Sequence, residues 1–292
     1  MKAMAKRNPR TSTKVETTGH EWDGIEELNK PLPRWWLWTF YATIIWAIGY
    51  WLLMPSWPLL NTYTKGLLDY SQREKVAEQL AEAKAAKSEY RDKIAATDLA
   101  AIVQDPELLT FALAGGEAAF GDNCAPCHGR GAQGAFGYPN LRDDDWLWGD
   151  GSLGAIYQTI LHGIRSDDPE TRMNQMPAFG HMGTLMEPQI ADVAEYVLSL
   201  SGRAGDKAAS ERGGKIFATT CTACHGATGK GNPTLGAPDL ADEIWLYGGD
   251  KATVMETIRD GRGGVMPAWG HRLDPETIKE LAIYVHSLGG GR

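Results

Sequence analysis

The chain has 292 residues, room for two compact domains and an anchor, and a formal charge of −8. That charge leaves no basic face for a nucleic acid. The four cysteines all fall in two Cys-x-x-Cys-His strings, so no disulfide framework is available and the compartment has to be read from topology.

Residues 1–34 carry seven Lys/Arg against five Asp/Glu, and residues 35–64 carry no charge. Trp35 to Met54 is a run of twenty uncharged residues, which as a helix spans about 30 Å, the thickness of a bilayer's hydrocarbon core. Trp35, Trp36 and Trp38 mark one end, and Trp51 and Trp57 the other, as interfacial rings do. Pro31, Pro33, Pro55 and Pro58 bracket it and discourage helix beyond. A cleaved signal peptide would be shorter, nearer the start and followed by small residues. Lys2, Lys6, Arg7, Arg10, Lys14, Lys30 and Arg34 precede the run, and Lys65 alone follows closely. The positive-inside rule therefore places the N-terminus in the cytoplasm and the rest in the periplasm.

Ser71 and Glu74 have the spacing of a capping box, and the Ala-, Glu- and Lys-rich stretch to about Ala96 predicts a helix. Val76, Leu80, Ala83, Tyr90 and Ile94 form one thin apolar stripe. Two readings stay open: a solvated spacer, or a helix docked on a partner subunit.

The remainder is one pattern written twice. Gly116-x-x-x-Phe120-x-x-x-Cys124 recurs as Gly213-x-x-x-Phe217-x-x-x-Cys221. Pro139-x-Leu141 and Trp146-Leu147-x-Gly149 recur as Pro238-x-Leu240 and Trp245-Leu246-x-Gly248. Met176-Pro177-Ala178 recurs as Met266-Pro267-Ala268, and both copies end on a helical pattern, 190–200 and 278–288. The first copy holds eight extra residues between Gly163 and Met176, an inserted loop. Gly116 and Gly213 predict a close crossing of first and last helix within each copy, filled by Phe120 with Tyr196 and by Phe217 with Tyr284. No alternating apolar run suggests a sheet, and Ser201–Ser210 reads as the linker.

Cys124-Ala125-Pro126-Cys127-His128 and Cys221-Thr222-Ala223-Cys224-His225 carry the attachment signature of haem c. The two thiols add across the haem vinyl groups, and the adjacent His becomes the proximal iron ligand. A zinc site would want its Cys pairs much closer than the 97 residues found here, and a thioredoxin-like pair would sit between strand and helix. Two covalent haems c are expected. Met as sixth ligand raises the potential, and of nine Met the repeat selects Met176 and Met266. The simplest expectation pairs each with the Cys motif of its own copy, although an exchange stays open. His181 and His271 follow the Met strings and read as structural or solvent-facing; His162 and His286 have no counterpart. Residues 107–204 carry net −8 and residues 205–292 net −1, which marks Asp143–Asp145, Asp167, Asp168 and Glu170 as a candidate face for a basic donor.

The domain pattern resembles class I cytochrome c. The string Asp23-Gly24-Ile25-Glu26-Glu27-Leu28-Asn29-Lys30-Pro31-Leu32-Pro33-Arg34-Trp35-Trp36, running into the span and Pro55-Ser56-Trp57-Pro58, resembles the N-terminal signature of the P subunit of cbb3-type cytochrome c oxidase. The resemblance implies a haem-copper catalytic subunit and a monohaem cytochrome subunit as partners, oxygen reduction and proton pumping by the complex, and electrons passed inward from a donor cytochrome c. Rival functions are the cytochrome subunit of a periplasmic dehydrogenase, which lacks this signature, and a dihaem peroxidase, whose open iron position two Met ligands would deny. The expected architecture is all-α: cytoplasmic segment 1–34, transmembrane helix 35–54, partly helical periplasmic linker 55–106, and two tandem class I cytochrome c domains, 107–200 and 208–292.

Overall fold

A computed structural model describes residues 16–290; the basic residues Lys2, Lys6, Arg7, Arg10 and Lys14 lie outside them. The chain forms two compact units, residues 1–83 and 84–292.

The first unit opens on a feature the sequence pattern did not suggest. Strands β1 (Thr17–Trp22) and β2 (Ile25–Leu28) pair antiparallel, with Trp22 opposite Ile25 and Glu21 opposite Glu26. Asp23 and Gly24 make the turn, both at positive φ (50° and 81°), the backbone of a type I′ hairpin. Helix α1 (Arg34–Leu53) starts after Pro33 and buries none of its residues, and from Trp35 onward it carries no charge, as a helix facing lipid requires. Its C-terminal carbonyls are covered from below: Met54 N–H donates to Tyr50 at 2.8 Å and Leu67 N–H to Leu52 at 2.9 Å.

Helix α2 (Gln72–Ala96) begins where expected, with Ser71 Oγ accepting from Glu74 N–H at 3.2 Å. Its last turns belong to the second unit, and there neither reading of the linker holds. Ile94 is fully buried with Ile102, Leu108 and Ala112, and Tyr90 stacks on Phe111 at 5.0 Å. Lys279 Nζ donates to the carbonyls of Ile94, Ala95 and Thr97 at 2.8–3.0 Å, giving the helix C-terminus the cation its dipole favours. The linker is thus docked on its own chain from Tyr90 onward, while Val76 and Leu80 stay exposed. Helix α3 (Leu99–Gln104) continues that packing through Ile102.

Each copy then supplies four helices: α4 (Pro106–Asn123), α5 (Ala125–His128), α6 (Leu153–His162) and α7 (Glu187–Leu200), followed by α8 (Lys207–Thr220), α9 (Thr222–His225), α10 (Lys251–Asp260) and α11 (Pro275–Ser287). Equivalent helices start on equivalent caps. Asp105 and Asp206 accept from the first free N–H groups of α4 and α8, and Ser152 and Asp250 do so for α6 and α10, each cap contributing about 1 kcal/mol.

The packing crosses between copies. Helix α4 lies against α11 and α8 against α7, so the first helix of each copy meets the last helix of the other. Phe120 therefore packs on Tyr284 (5.5 Å) and Tyr196 on Phe217 (5.0 Å), the reverse of the pairing expected from the repeat. The glycines work as anticipated but against the exchanged partner. A Cβ on Gly116 would strike the Glu280 carbonyl and lie 2.6 Å from Tyr284 Cβ, and one on Gly213 would strike the Asp192 carbonyl. The physical reason is the connection between α7 and α8. Only residues 201–206 separate them, and so short a loop makes consecutive helices antiparallel neighbours. Two cores result. One gathers Ile190, Val193, Val197, Phe217, Val254 and Ile258; the other gathers Phe120, Ile156, Ile160, Ile278, Leu281 and Val285. Each such side chain contributes about 1.5–3 kcal/mol on burial.

Candidate haem sites

Cys124 and Cys221 are the C-terminal caps of α4 and α8, and each is followed at once by a one-turn helix that ends on the histidine. Gly129 (φ 80°) and Gly226 (φ 74°) stop those turns, in a backbone region that favours glycine. His128 Nδ1 lies 3.0 Å from the Pro139 carbonyl and His225 Nδ1 lies 3.1 Å from the Pro238 carbonyl. A carbonyl only accepts, so each Nδ1 carries the proton and each Nε2 keeps its lone pair. Burial lowers both imidazoles below the ordinary 6.5, which holds them neutral. Burial likewise pushes the Cys124 and Cys221 thiols up to about 11, the mark of an apolar setting. The repeated Pro-x-Leu strings thus act on the site by fixing a histidine ring, a role the repeat marked without explaining.

The methionine straps are exchanged as well. Met176 N–H donates to the Arg262 carbonyl at 3.0 Å, and Met266 N–H to the Ile164 carbonyl at 3.0 Å. Further on, Phe179 N–H reaches Ile258 at 3.2 Å and Trp269 N–H reaches Ile160 at 3.1 Å. Gly163 and Gly261 let the straps cross: a Cβ at Gly261 would lie 2.5 Å from the Met176 carbonyl, and one at Gly163 would strike that of Met266. Met176 consequently packs into the core that holds Phe217 and Cys221, and Met266 into the core that holds Phe120 and Cys124. This overturns the expectation that each strap covers the Cys motif of its own copy.

A cavity of about 760 Å³ opens beside the second motif. Cys221, Cys224, His225, Met176, Val254 and Ile258 are among its lining residues. Trp245 also lines it, and its Nε1 is buried without a partner among the described residues, as is Nη1 of Arg172. A buried donor left unsatisfied costs about 1–3 kcal/mol. An anionic group in the cavity, such as a haem propionate, would satisfy the Trp245 donor, so the lining fits that cofactor. In the other half the equivalent Trp146 Nε1 instead donates to the Gly290 carbonyl at 2.6 Å.

Two of the other histidines pair with carboxylates. His181 pairs with Asp260 at 2.9 Å on the surface. His162 holds the inserted loop through Asp168 at 2.9 Å. The acidic loops that follow the Pro-x-Leu strings converge. Asp145 is pushed up to about 6 by burial and by Asp242, Asp143, Asp239 and Asp144, so carboxylates of both copies share one patch.

Paired thiols, a neutral histidine beside them and a methionine strap over an apolar cavity are what a covalently held haem requires, and they place the chain among the c-type cytochromes. Comparison with known proteins narrows this. The family described as the N-terminal domain of cytochrome oxidase-cbb3, FixP, matches residues 14–61, and the family described as cytochrome c oxidase, cbb3-type, subunit III, matches residues 111–197 and 208–285. The cbb3-type cytochrome c oxidase subunit FixP of Azorhizobium caulinodans is 58% identical over 277 residues, 94% of either chain. Subunit CcoP of Azospirillum brasilense is 53% identical over 296 residues, 99% of this chain and 100% of that one. CcoP of Cereibacter sphaeroides is 53% identical over 276 residues, 94% of this chain and 95% of its own. The chain belongs to the FixP/CcoP family of cbb3-type oxidase subunits, which bind haem c.

Proposed function

We propose that this chain is the membrane-anchored dihaem relay of a cbb3-type oxidase, passing single electrons from a donor cytochrome c to the catalytic core and having no catalytic centre of its own. The observation that carries the reading is the crossing of the two straps, which gives both Cys-x-x-Cys-His motifs a methionine at once. One haem is held by Cys124 and Cys127, with His128 and Met266 as iron ligands. The other is held by Cys221 and Cys224, with His225 and Met176. When bound, each haem supplies reversible one-electron chemistry. The protein's part is to orient Nε2 through the Pro139 and Pro238 carbonyls, to close the sixth position with thioether sulfur, and to exclude water with the two aliphatic cores. Thioether ligation and the exclusion of water keep the potential high.

The anchor α1 sits in the inner membrane with the N-terminus cytoplasmic and the haem-bearing unit periplasmic. Within the membrane it meets the haem-copper catalytic subunit and the monohaem cytochrome subunit. The patch formed by Asp143, Asp144, Asp145, Asp239 and Asp242 receives a basic donor, whose encounter rate its field raises. Affinity purification of the full chain from membranes tests the assignment. A partner carrying copper and haem b is expected; a quinoprotein or molybdoprotein partner in its place would refute it.

A further inference from the structure

The hairpin ahead of the span has no core of its own. An isolated two-stranded hairpin is marginally stable in water, and this one also sets Glu21 directly opposite Glu26, a like-charge pair that weakens it further. One face carries His20, Trp22 and Ile25, with the rings of His20 and Trp22 5.6 Å apart. Trp22 and Ile25 are 61% and 73% exposed, so this face is uncovered. Residues 16–28 hold five acids, Glu16, Glu21, Asp23, Glu26 and Glu27, and no Lys or Arg. Among the described residues none of the five is in an ion pair. Only residues 29–33 separate the hairpin from α1, which holds it within about 20 Å of the membrane surface.

We propose that this hairpin is a docking element for the Lys/Arg-bearing cytoplasmic loops of the oxidase core. Two surfaces lie within its reach. The cytoplasmic leaflet is anionic and repels five carboxylates. The cytoplasmic loops of a membrane-embedded partner are enriched in Lys and Arg by the same positive-inside rule that orients α1. Those loops complement Glu21 and Glu26 on one face of the hairpin, while Trp22 and Ile25 supply an apolar contact on the other. Burying Trp22 against such a partner also supplies the core the hairpin lacks. The inference rests on the oxidase assignment and on a cytoplasmic N-terminus.

The test uses the full chain with its haems, co-expressed with the oxidase core and extracted in mild detergent. The double variant Glu21→Lys, Glu26→Lys should reach the membrane and stain for covalent haem like the parent chain, yet be retained by the tagged core about tenfold less at low salt. The isosteric Glu21→Gln, Glu26→Gln variant, which removes the like-charge pair and keeps the shape, should lie between them. Retention of the parent chain should fall as salt rises, whereas that of the Lys variant should not. A photo-crosslinker on Ile25→Cys should attach to a cytoplasmic loop of the core. Equal retention of parent and Lys variant, or crosslinking only to lipid or to residues 1–15 of the same chain, overturns the proposal and leaves the oxidase assignment standing. Failure of the parent chain itself to co-purify overturns both.

Discussion

Glu280 on α11 is a buried carboxyl, 4% exposed, and its surroundings set up a quantitative test. The equivalent residue of the first copy, Asp192, is held by Arg212 through two bonds of 2.6 and 2.8 Å. The place of Arg212 is taken in α4 by Gly115, where a Cβ would lie 2.5 Å from the Glu280 carboxylate. Glu280 thus lies against bare backbone. Burial pushes its pKa from 4.5 up to about 7; Arg91 on α2 and Lys87 oppose the rise and Glu276 adds to it. The folded state therefore binds the proton more tightly than the unfolded one. Stability from this group is fully present below about pH 4.5, falls as pH rises towards 7, and is lost above. A displacement of that size costs at most about 3 kcal/mol once the group is ionised. Glu280→Gln keeps the shape without the charge. At pH 8 it should stabilise the haem-loaded chain by up to that amount, a rise in Tm of roughly 6–12 °C for a unit of this size. At pH 4.5 it should change little. Thermal unfolding of parent and variant in detergent, followed by circular dichroism at half-unit steps from pH 4.5 to 8, measures the difference directly. A Tm difference that stays flat across this range would refute the account of Glu280 as a carboxyl without a cation of its own.

The proposed pairing of each methionine with a Cys motif can be tested by loading one haem at a time. With Cys221 and Cys224 replaced by Ala, Met266→His should lower the potential of the remaining haem, because imidazole favours Fe(III) more than thioether does, and Met176→His should leave it unchanged; redox titration reads both, and the opposite result restores ligands within each copy. Neutralising Asp143, Asp144 and Asp145 to Asn should slow oxidation of a basic cytochrome c at low ionic strength. The effect should vanish near physiological salt, where the Debye length is about 8 Å, and an unchanged salt slope places donor entry elsewhere. Gly213→Ala should destabilise the chain by about 1–3 kcal/mol, since its Cβ meets the backbone carbonyl of Asp192 rather than a movable side chain; denaturant titration at fixed pH checks it.

Much of this architecture is written in residue type and spacing. Twenty uncharged residues with Trp at both ends specify α1, and the duplicated Cys, Pro-x-Leu and Met strings mark both candidate sites, because the proposed chemistry needs one residue type at one place. The exchange of last helices and straps was not legible from the repeat. Self-similarity shows that Tyr196 corresponds to Tyr284 and Phe120 to Phe217, but it is indifferent to which tyrosine meets which phenylalanine. The deciding quantity, the six residues between α7 and α8, lay in the segment read only as a linker. The hairpin was hidden differently. Its Asp23-Gly24 turn is a strong local cue, but its strands bury nothing and show no apolar alternation. The docking of α2 escaped because only Tyr90 and Ile94 of its stripe are covered, and Lys279, which caps it, lies 185 residues from Ile94.

The exchange also changes what counts as a domain along the chain. The strap at Met176, then α7, α8, α9 and α10, form one uninterrupted stretch with a complete core, a circular permutation of a cytochrome fold that begins at its methionine and ends on the helix before the next strap. That stretch is inserted into the other half, whose pieces, α4 to α6 and Met266 with α11, come from either side of it. The nested half closes through local contacts and can form as soon as its own residues are made. The enclosing half must bring together α4 and α11, more than 150 residues apart, and so has a larger loop-closure entropy to overcome before its contacts form. Its first Cys motif is therefore the earlier of the two to be made and the last to be covered, since its core closes only when the C-terminal helix arrives.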